Sequence, residues 1–315
     1  MSAPRRPGDI TAVPVRHPGR WVASAVVLVL VAMLINSLVT NTRYGWGTIG
    51  HYLFERSVLD GLALTWGLTG AAMGIGVAGG IVLAVMRLSA NPLLSGVSWF
   101  YIWVFRGTPV LVQLFLWYNL SYLYSHIALG VPFGPEFVHA STNTLIPAVV
   151  AGILGLGLNE AAYMAEIVRA GILAVDPGQH EAASSIGMRR VQIMRHVVLP
   201  QAMRVIVPPT GNEANSMLKT TSLVSVIAVY DLFGTTQNFI ASTYESIPLL
   251  LMASIWYLAS STVLSVAQYY VERFYARGAQ RALPPTPLQR LRANLTTLRR
   301  PRIDLAPVAP ASRRR

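Results

Sequence analysis

The chain has 315 residues, 53% of them hydrophobic and only 12% charged, far too apolar for a soluble domain of this length. Its formal net charge of +12 invites a nucleic-acid reading, yet the arginines gather at the two chain ends and in one internal stretch. That distribution suits the cytoplasmic face of a polytopic membrane protein rather than a nucleic-acid binder. With no cysteine, disulfides, thiolate metal sites and cysteine nucleophiles are excluded.

Residues 1–20 form a basic segment carrying Arg5, Arg6, Arg16 and Arg20 among prolines and glycines. The apolar run Trp21 to Thr40 follows, about 20 residues, enough for roughly 30 Å of hydrocarbon and too long for a signal-peptide core. It is read as a retained, additional N-terminal transmembrane helix. Further apolar segments run from Leu62 to Met86, Val97 to Tyr124, Thr144 to Val168, Met203 to Tyr230 and Ser246 to Val271. The expectation is an all-α polytopic protein with six transmembrane helices. Setting the arginine-rich N-terminus inside puts Arg87, the run from Arg169 to Arg204, and Arg273 to Arg315 on the same side. The opposite loops keep Arg43 and Arg56 beside acidic residues and histidines. Both termini are therefore expected in the cytoplasm. Residues 273–315, rich in proline and arginine, are read as a disordered basic tail near lipid headgroups. Within them Leu288 to Leu298 is a weak candidate for a surface helix.

The largest internal cytoplasmic loop is residues 177–200. Pro177 and Gly178 break the preceding helix, Gln179 to Ile186 favours a short helix, and Gly187 supplies a stop. A second short helix from about Arg189 to Val198 carries three arginines and is expected to end at Leu199 and Pro200. On its own this is an amphipathic piece for the lipid surface. The spacing of Glu181-Ala182-Ala183, Gly187, Val197 and Leu199-Pro200, however, resembles the EAA loop of ATP-binding-cassette (ABC) importer permeases, with Val197 where that family usually has isoleucine. Gly178 and Gln179 belong to the same run. Tyr101 to Gln113, Ala162 to Ile172, Leu199 to Ala202 and Lys219 to Ile227 are also similar to the polar amino acid uptake permeases. The likeness spans about residues 60–272; Thr220 departs from it, standing where many relatives have aspartate.

The resemblance implies the type I importer permease fold in the cell membrane and a non-catalytic subunit. It implies a cytoplasmic ABC ATPase subunit gripping the loop, ATP and Mg on that subunit, and no cofactor on this chain. It also implies a second permease subunit, alike or homologous, an extracytoplasmic solute-binding protein and a polar amino acid substrate.

The residues agree that this chain does not hydrolyse ATP by a P-loop. Lys219 is its only lysine, and Glu213 and Leu218 stand where that motif requires glycines. No HExxH or GxSxG spacing occurs.

Ionisable groups at membrane depth face a cavity, a partner or another charge. The candidates are Arg106, Glu160, Glu166, Arg169, Glu213 and Lys219. Glu166 and Arg169, three apart, suit a structural ion pair, with substrate contact as the other account. Arg106 precedes the kinking run Gly107-Thr108-Pro109 and either snorkels toward headgroups or serves gating. The stretch Pro208 to Ser216 sets helix breakers and polar groups in the fifth span, so irregular backbone against protein or a solute path is expected. Asn212, Glu213 and Asn215 are candidates to meet solute, with Glu160 as a second carboxylate; helix packing is the competing role of the asparagines. Six glycines between Gly67 and Gly80 indicate a closely packed face, or a dimer seam. The rival reading from another class is a self-contained ion-coupled transporter or channel in which Glu160, Glu166 and Glu213 relay ions.

Overall fold

The computed structural model describes residues 18–130 and 136–276. The basic N-terminal segment before residue 18 and the tail from residue 277, with the suggested surface helix at 288–298, lie outside the described residues.

Thirteen α-helices carry the described chain. They are α1 (Pro18–Thr40), α2 (Trp46–Tyr52), α3 (Arg56–Arg87), α4 (Pro92–Gly107), α5 (Val110–Tyr118), α6 (Leu120–Leu123), α7 (Thr142–Leu145), α8 (Ala148–Leu173), α9 (Pro177–Ser185), α10 (Arg190–Ile193), α11 (Leu199–Thr220), α12 (Leu232–Thr243) and α13 (Ser246–Tyr275). A hairpin of β1 (His126–Gly130) and β2 (Glu136–Ser141) interrupts them, antiparallel, with His126 opposite Ser141. Four helices are long and apolar enough to span a membrane, and six spans result if two bent pairs each count once. The chain divides into two compact units: Met1–Ala72 with Val110–Leu156 and Leu218–Ser260, and Met73–Pro109 with Gly157–Met217 and Ser261–Arg315.

In the first unit α1 is exposed along its length. Its circumference is uniformly apolar, as suits a helix surrounded by lipid. Trp46 Nε1 donates to the Leu38 carbonyl at 2.7 Å. Ile49, Val58, Leu232, Leu249 and Met252 form the core. Asp231, which reads as a loop acid, is fully buried here. It caps α12, its Oδ1 accepting from the Gly234 amide at 2.8 Å, while the Leu232 amide donates to Thr65 Oγ1 at 3.1 Å. That cap begins a helix where the polar sequence of residues 232–243 signals none.

The predicted third span is not one helix. Asn91 accepts from the Leu93 amide at 2.9 Å and Pro92 starts α4. The helix stops at Gly107 because Thr108, which precedes Pro109, is extended at φ −113°, ψ 143°.

In the second unit the glycines of α3 do the packing. A Cβ added at Gly76 would lie within 3 Å of the Glu160 side chain, and one at Gly80 within 3 Å of Met164 and the Ala165 amide. Gly67, Gly70 and Gly74 would meet nothing within 4 Å. The close approach is thus between α3 and α8 of one chain. Hydrogen bonds then tie α4 into the pair: Ser98 Oγ donates to the Leu83 carbonyl at 2.7 Å, Tyr101 to Leu158 at 2.9 Å and Asn159 Nδ2 to Phe105 at 2.9 Å.

The loop at 177–200 is a helical hairpin. Asp176 caps α9, accepting from the Gly178 amide at 2.6 Å, with Pro177 as its first residue. Gly187 takes the left-handed conformation at φ +82°. The Met188 amide donates to Ala183 and the Gly187 amide to Ser184, the paired bonds of a Schellman stop. Ala183, Ile193 and Val198 close its small core.

Leu199 and Pro200 do not end the second helix as expected. A π-turn, Met194–Val198, leads directly into α11. Its wider hydrogen-bond spacing accommodates a proline that has no amide proton, and Gln201 Nε2 caps the Val197 carbonyl at 2.9 Å. Nor is the backbone irregular at Pro208 and Pro209, both of which lie inside α11. Thr210 Oγ1 donates to Ile206 at 2.8 Å and Gln268 Nε2 to the Pro208 carbonyl at 3.3 Å. The helix runs through both prolines, and Gln268 ties this stretch to α13.

Two stability outcomes follow from these contacts. Gly80→Ala should cost about 1–3 kcal/mol through overpacking against α8, read as a lower melting temperature in detergent. Gly74→Ala, in open space, should leave the protein unchanged or gain about 0.5–1 kcal/mol in helix propensity. Gly187→Val should weaken the hairpin by about 1–2 kcal/mol, the cost of a left-handed residue with a Cβ. It should speed amide hydrogen exchange across residues 178–199, and Gly187→Asn should be milder.

Candidate functional site

Two sites emerge in the second unit. The first is the outer surface of the helical hairpin. Gly178, Gln179, Glu181, Ala182, Leu199 and Pro200 are exposed, while Ala183 faces inward. Ile186 and Val191 stand out at 78% and 77% exposure. They make an exposed apolar patch on a polar, arginine-bearing loop. No sequence pattern singles out either residue; the signal available is an isolated isoleucine directly before the turn glycine.

The second is a group of charges on three helices, α4, α8 and α11. Glu160, on α8, is 3% exposed. Among the described residues its Oε1 is the buried side-chain oxygen with no hydrogen-bond partner. Glu213, half-buried on α11, lies within Coulombic reach of both Glu160 and Arg106. Arg106, on the last turn of α4, sits over the Tyr163 ring at 5.1 Å from its centroid, a cation–π contact that fixes the guanidinium. Carboxylates and a guanidinium on neighbouring helices can receive the two ends of a zwitterion.

The other candidates fall elsewhere. Glu166 and Arg169 pair with each other, Arg169 Nη2 donating to Glu166 Oε2 at 2.8 Å. Asn215 Nδ2 donates to Ser265 Oγ at 2.9 Å, and the Ser261 hydroxyl donates to Asn215 Oδ1. Asn212 Oδ1 accepts from Gln268 Nε2 at 3.1 Å. Both asparagines thus engage α13. Lys219 is exposed and belongs to the other unit. Gly107 and Pro109 flank the stop of α4 without side-chain chemistry of their own. Tyr163 and Gln268, which no sequence pattern marks, prove to anchor Arg106 and α11. Among the described residues no cluster of histidines and carboxylates is placed to hold a metal.

Comparison with known proteins now places the chain. Residues 76–277 match the family model described as "Binding-protein-dependent transport system inner membrane component". The arginine transport system permease protein ArgU of Corynebacterium glutamicum is 47% identical over 280 residues, 88% of this chain and 87% of that protein. The probable amino-acid permease protein YxeN of Bacillus subtilis is 35% identical, covering 69% of this chain and 90% of its own length. Among solved structures, that titled "Crystal structure of an amino acid ABC transporter with histidines" matches with a TM-score of 0.59 and 38% identity, over 69% of this chain and 93% of that one. A methionine ABC transporter in an inward-facing conformation, 18% identical with a TM-score of 0.55, shares the fold. The chain therefore belongs to the inner membrane components of binding-protein-dependent transport systems, the multi-pass, non-catalytic permease subunits of ABC importers.

Proposed function

We propose that this permease carries a polar amino acid with a cationic side chain, past Glu160 and Glu213. The observation that carries this reading is Glu160, a buried carboxylate with an oxygen unpartnered among the described residues, beside a second carboxylate. A buried acid so placed favours a cation, because a charge-assisted hydrogen bond offsets the desolvation of both partners. Arg106 offers the complementary charge for the carboxylate of the amino acid. Relatives named for arginine transport, ArgU and the Bacillus subtilis protein ArtQ, support the same substrate class. Family membership argues against the ion-coupled alternative.

Coupling follows from the hairpin. α9 and α10 dock on a cytoplasmic ATPase subunit, which binds ATP and Mg; Ile186 and Val191 supply apolar contact, Glu181 and the exposed arginines polar contact. The arginine-rich loops then lie inside, with both termini cytoplasmic. A second permease subunit completes the path, and an extracytoplasmic binding protein delivers the solute. Closure of the ATPase pair moves the hairpins and reorients the helices. The solute site must bind differently in the two states for that motion to do transport.

The test is arginine uptake by proteoliposomes holding the permease, its ATPase and its binding protein. Glu160→Gln should lower uptake about 10- to 100-fold, the worth of one charge-assisted bond, with ATPase co-purification unchanged. Glu181→Lys and Ile186→Asp should detach the ATPase. Unchanged uptake in Glu160→Gln and Glu213→Gln would remove both carboxylates from the path; retained ATPase in the loop variants would remove the hairpin from coupling.

A further inference from the structure

The second unit holds an apolar, half-open groove of about 880 Å³, walled by α3 (Ile81, Val85) and α13 (Leu264, Val271) and floored by α8 and α11. Its few polar groups are already engaged. Thr210 donates to the Ile206 carbonyl, and Gln268 donates to Glu272 Oε1 at 2.7 Å and to Asn212. Tyr275 brings a phenol hydroxyl, at one end. Such a lining offers nothing to a polar amino acid, so the groove is not a second solute site.

Its length and charge indicate what it takes. The lining of α13 runs from Leu264 to Tyr275, and that along α3 and just past its end from Val77 to Leu88. Each covers eleven residue steps, about 16 Å at 1.5 Å per residue, the depth of one leaflet in a hydrocarbon core of about 30 Å. A trench of that length and lining accommodates acyl chains.

The end formed by Leu88, Met194, Leu199 and Tyr275 is the basic one. Arg87 adjoins Leu88, Arg195 adjoins Met194, and Arg273 lies two residues before Tyr275. Arg87 donates to a neutral hydroxyl, Ser95 Oγ, at 2.9 Å, so that contact leaves its charge uncompensated. In sequence, residues 277–315 follow directly with ten arginines and a single acid, Asp304. Tyrosine and arginine at the mouth of an apolar trench one leaflet deep match the headgroup level of a bilayer. We infer that this groove is a binding site for an anionic phospholipid, acyl chain along α3 and α13 and phosphate at the Arg87 and Arg273 end. Only its assignment to the inner leaflet rests on the importer reading above.

Native mass spectrometry of the full permease and ATPase complex, given phosphatidylglycerol and phosphatidylcholine in equal amounts, tests it. The natural chain should retain phosphatidylglycerol in preference. Arg87→Gln with Arg273→Gln should lower that preference about fivefold per arginine removed. Val85→Trp with Leu264→Trp should fill the groove and abolish retention, with Ala267→Leu as a milder filler should the double variant not fold. Equal retention of both lipids, or retention indifferent to filling, overturns the proposal. So does a disulfide between two permease copies each carrying Val85→Cys, since the groove would then be a subunit seam. Loss of the ATPase from the natural chain would instead count against the importer reading, because lipid retention by the permease is read separately.

Discussion

The second unit depends on a contact to which one side contributes no side chain. Gly76 and Gly80 leave the surface of α3 bare, and α8 comes close enough that a Cβ at either position would overlap Glu160 or Met164. Dispersion falls off within an ångström or so, so two helices at that separation gain along the whole contact what wider-spaced helices lose. The approach also sets the chemistry. The carbons of Glu160 press against α3, and α4 is tied to α8 through Tyr101 and Asn159, so the residue is held largely out of bulk solvent. It stays buried, beside Glu213.

Around that contact the polar side chains divide into two kinds. Asn212, Asn215 and Gln268 join α11 to α13, and they keep a helix with two internal prolines straight enough to carry Glu213. Glu166 and Arg169 neutralise each other three residues apart on one helix. These are groups whose partners lie within the chain. Glu160 differs in having an oxygen without one among the described residues, and a membrane protein that keeps such an oxygen keeps it at a cost in stability.

Much of this was legible in the sequence where the signal is physical and local. Long apolar runs mark α1, α3, α8 and α13, since hydrocarbon thickness sets helix length. The hairpin at 177–200 is readable because alanine, glycine and proline each act on the backbone directly. Legibility fails where tertiary partners decide. Pro200, Pro208 and Pro209 read as breaks, yet a π-turn admits the first and α11 runs through the other two while Gln268 holds it to α13, none of which is visible as a pattern. The helix after Asp231 was obscured by its threonines, and the β-hairpin by its shortness. The six glycines from Gly67 to Gly80 all read alike, although only Gly76, Gly79 and Gly80 meet α8, because spacing alone does not say which face has a neighbour.

The π-turn has one more consequence. Because Met194–Val198 continues into α11 without a loop, Glu213 and the exposed face of the hairpin are two ends of one rod. From Arg190 to Glu213 there are 23 residue steps, about 34 Å of helix. A rod transmits twist as well as thrust, and a π-turn is a place where a helix changes its winding without snapping hydrogen bonds in series. Torque applied at the hairpin would therefore arrive at the carboxylate as a change in azimuth, turning Glu213 toward or away from Glu160 with little axial travel.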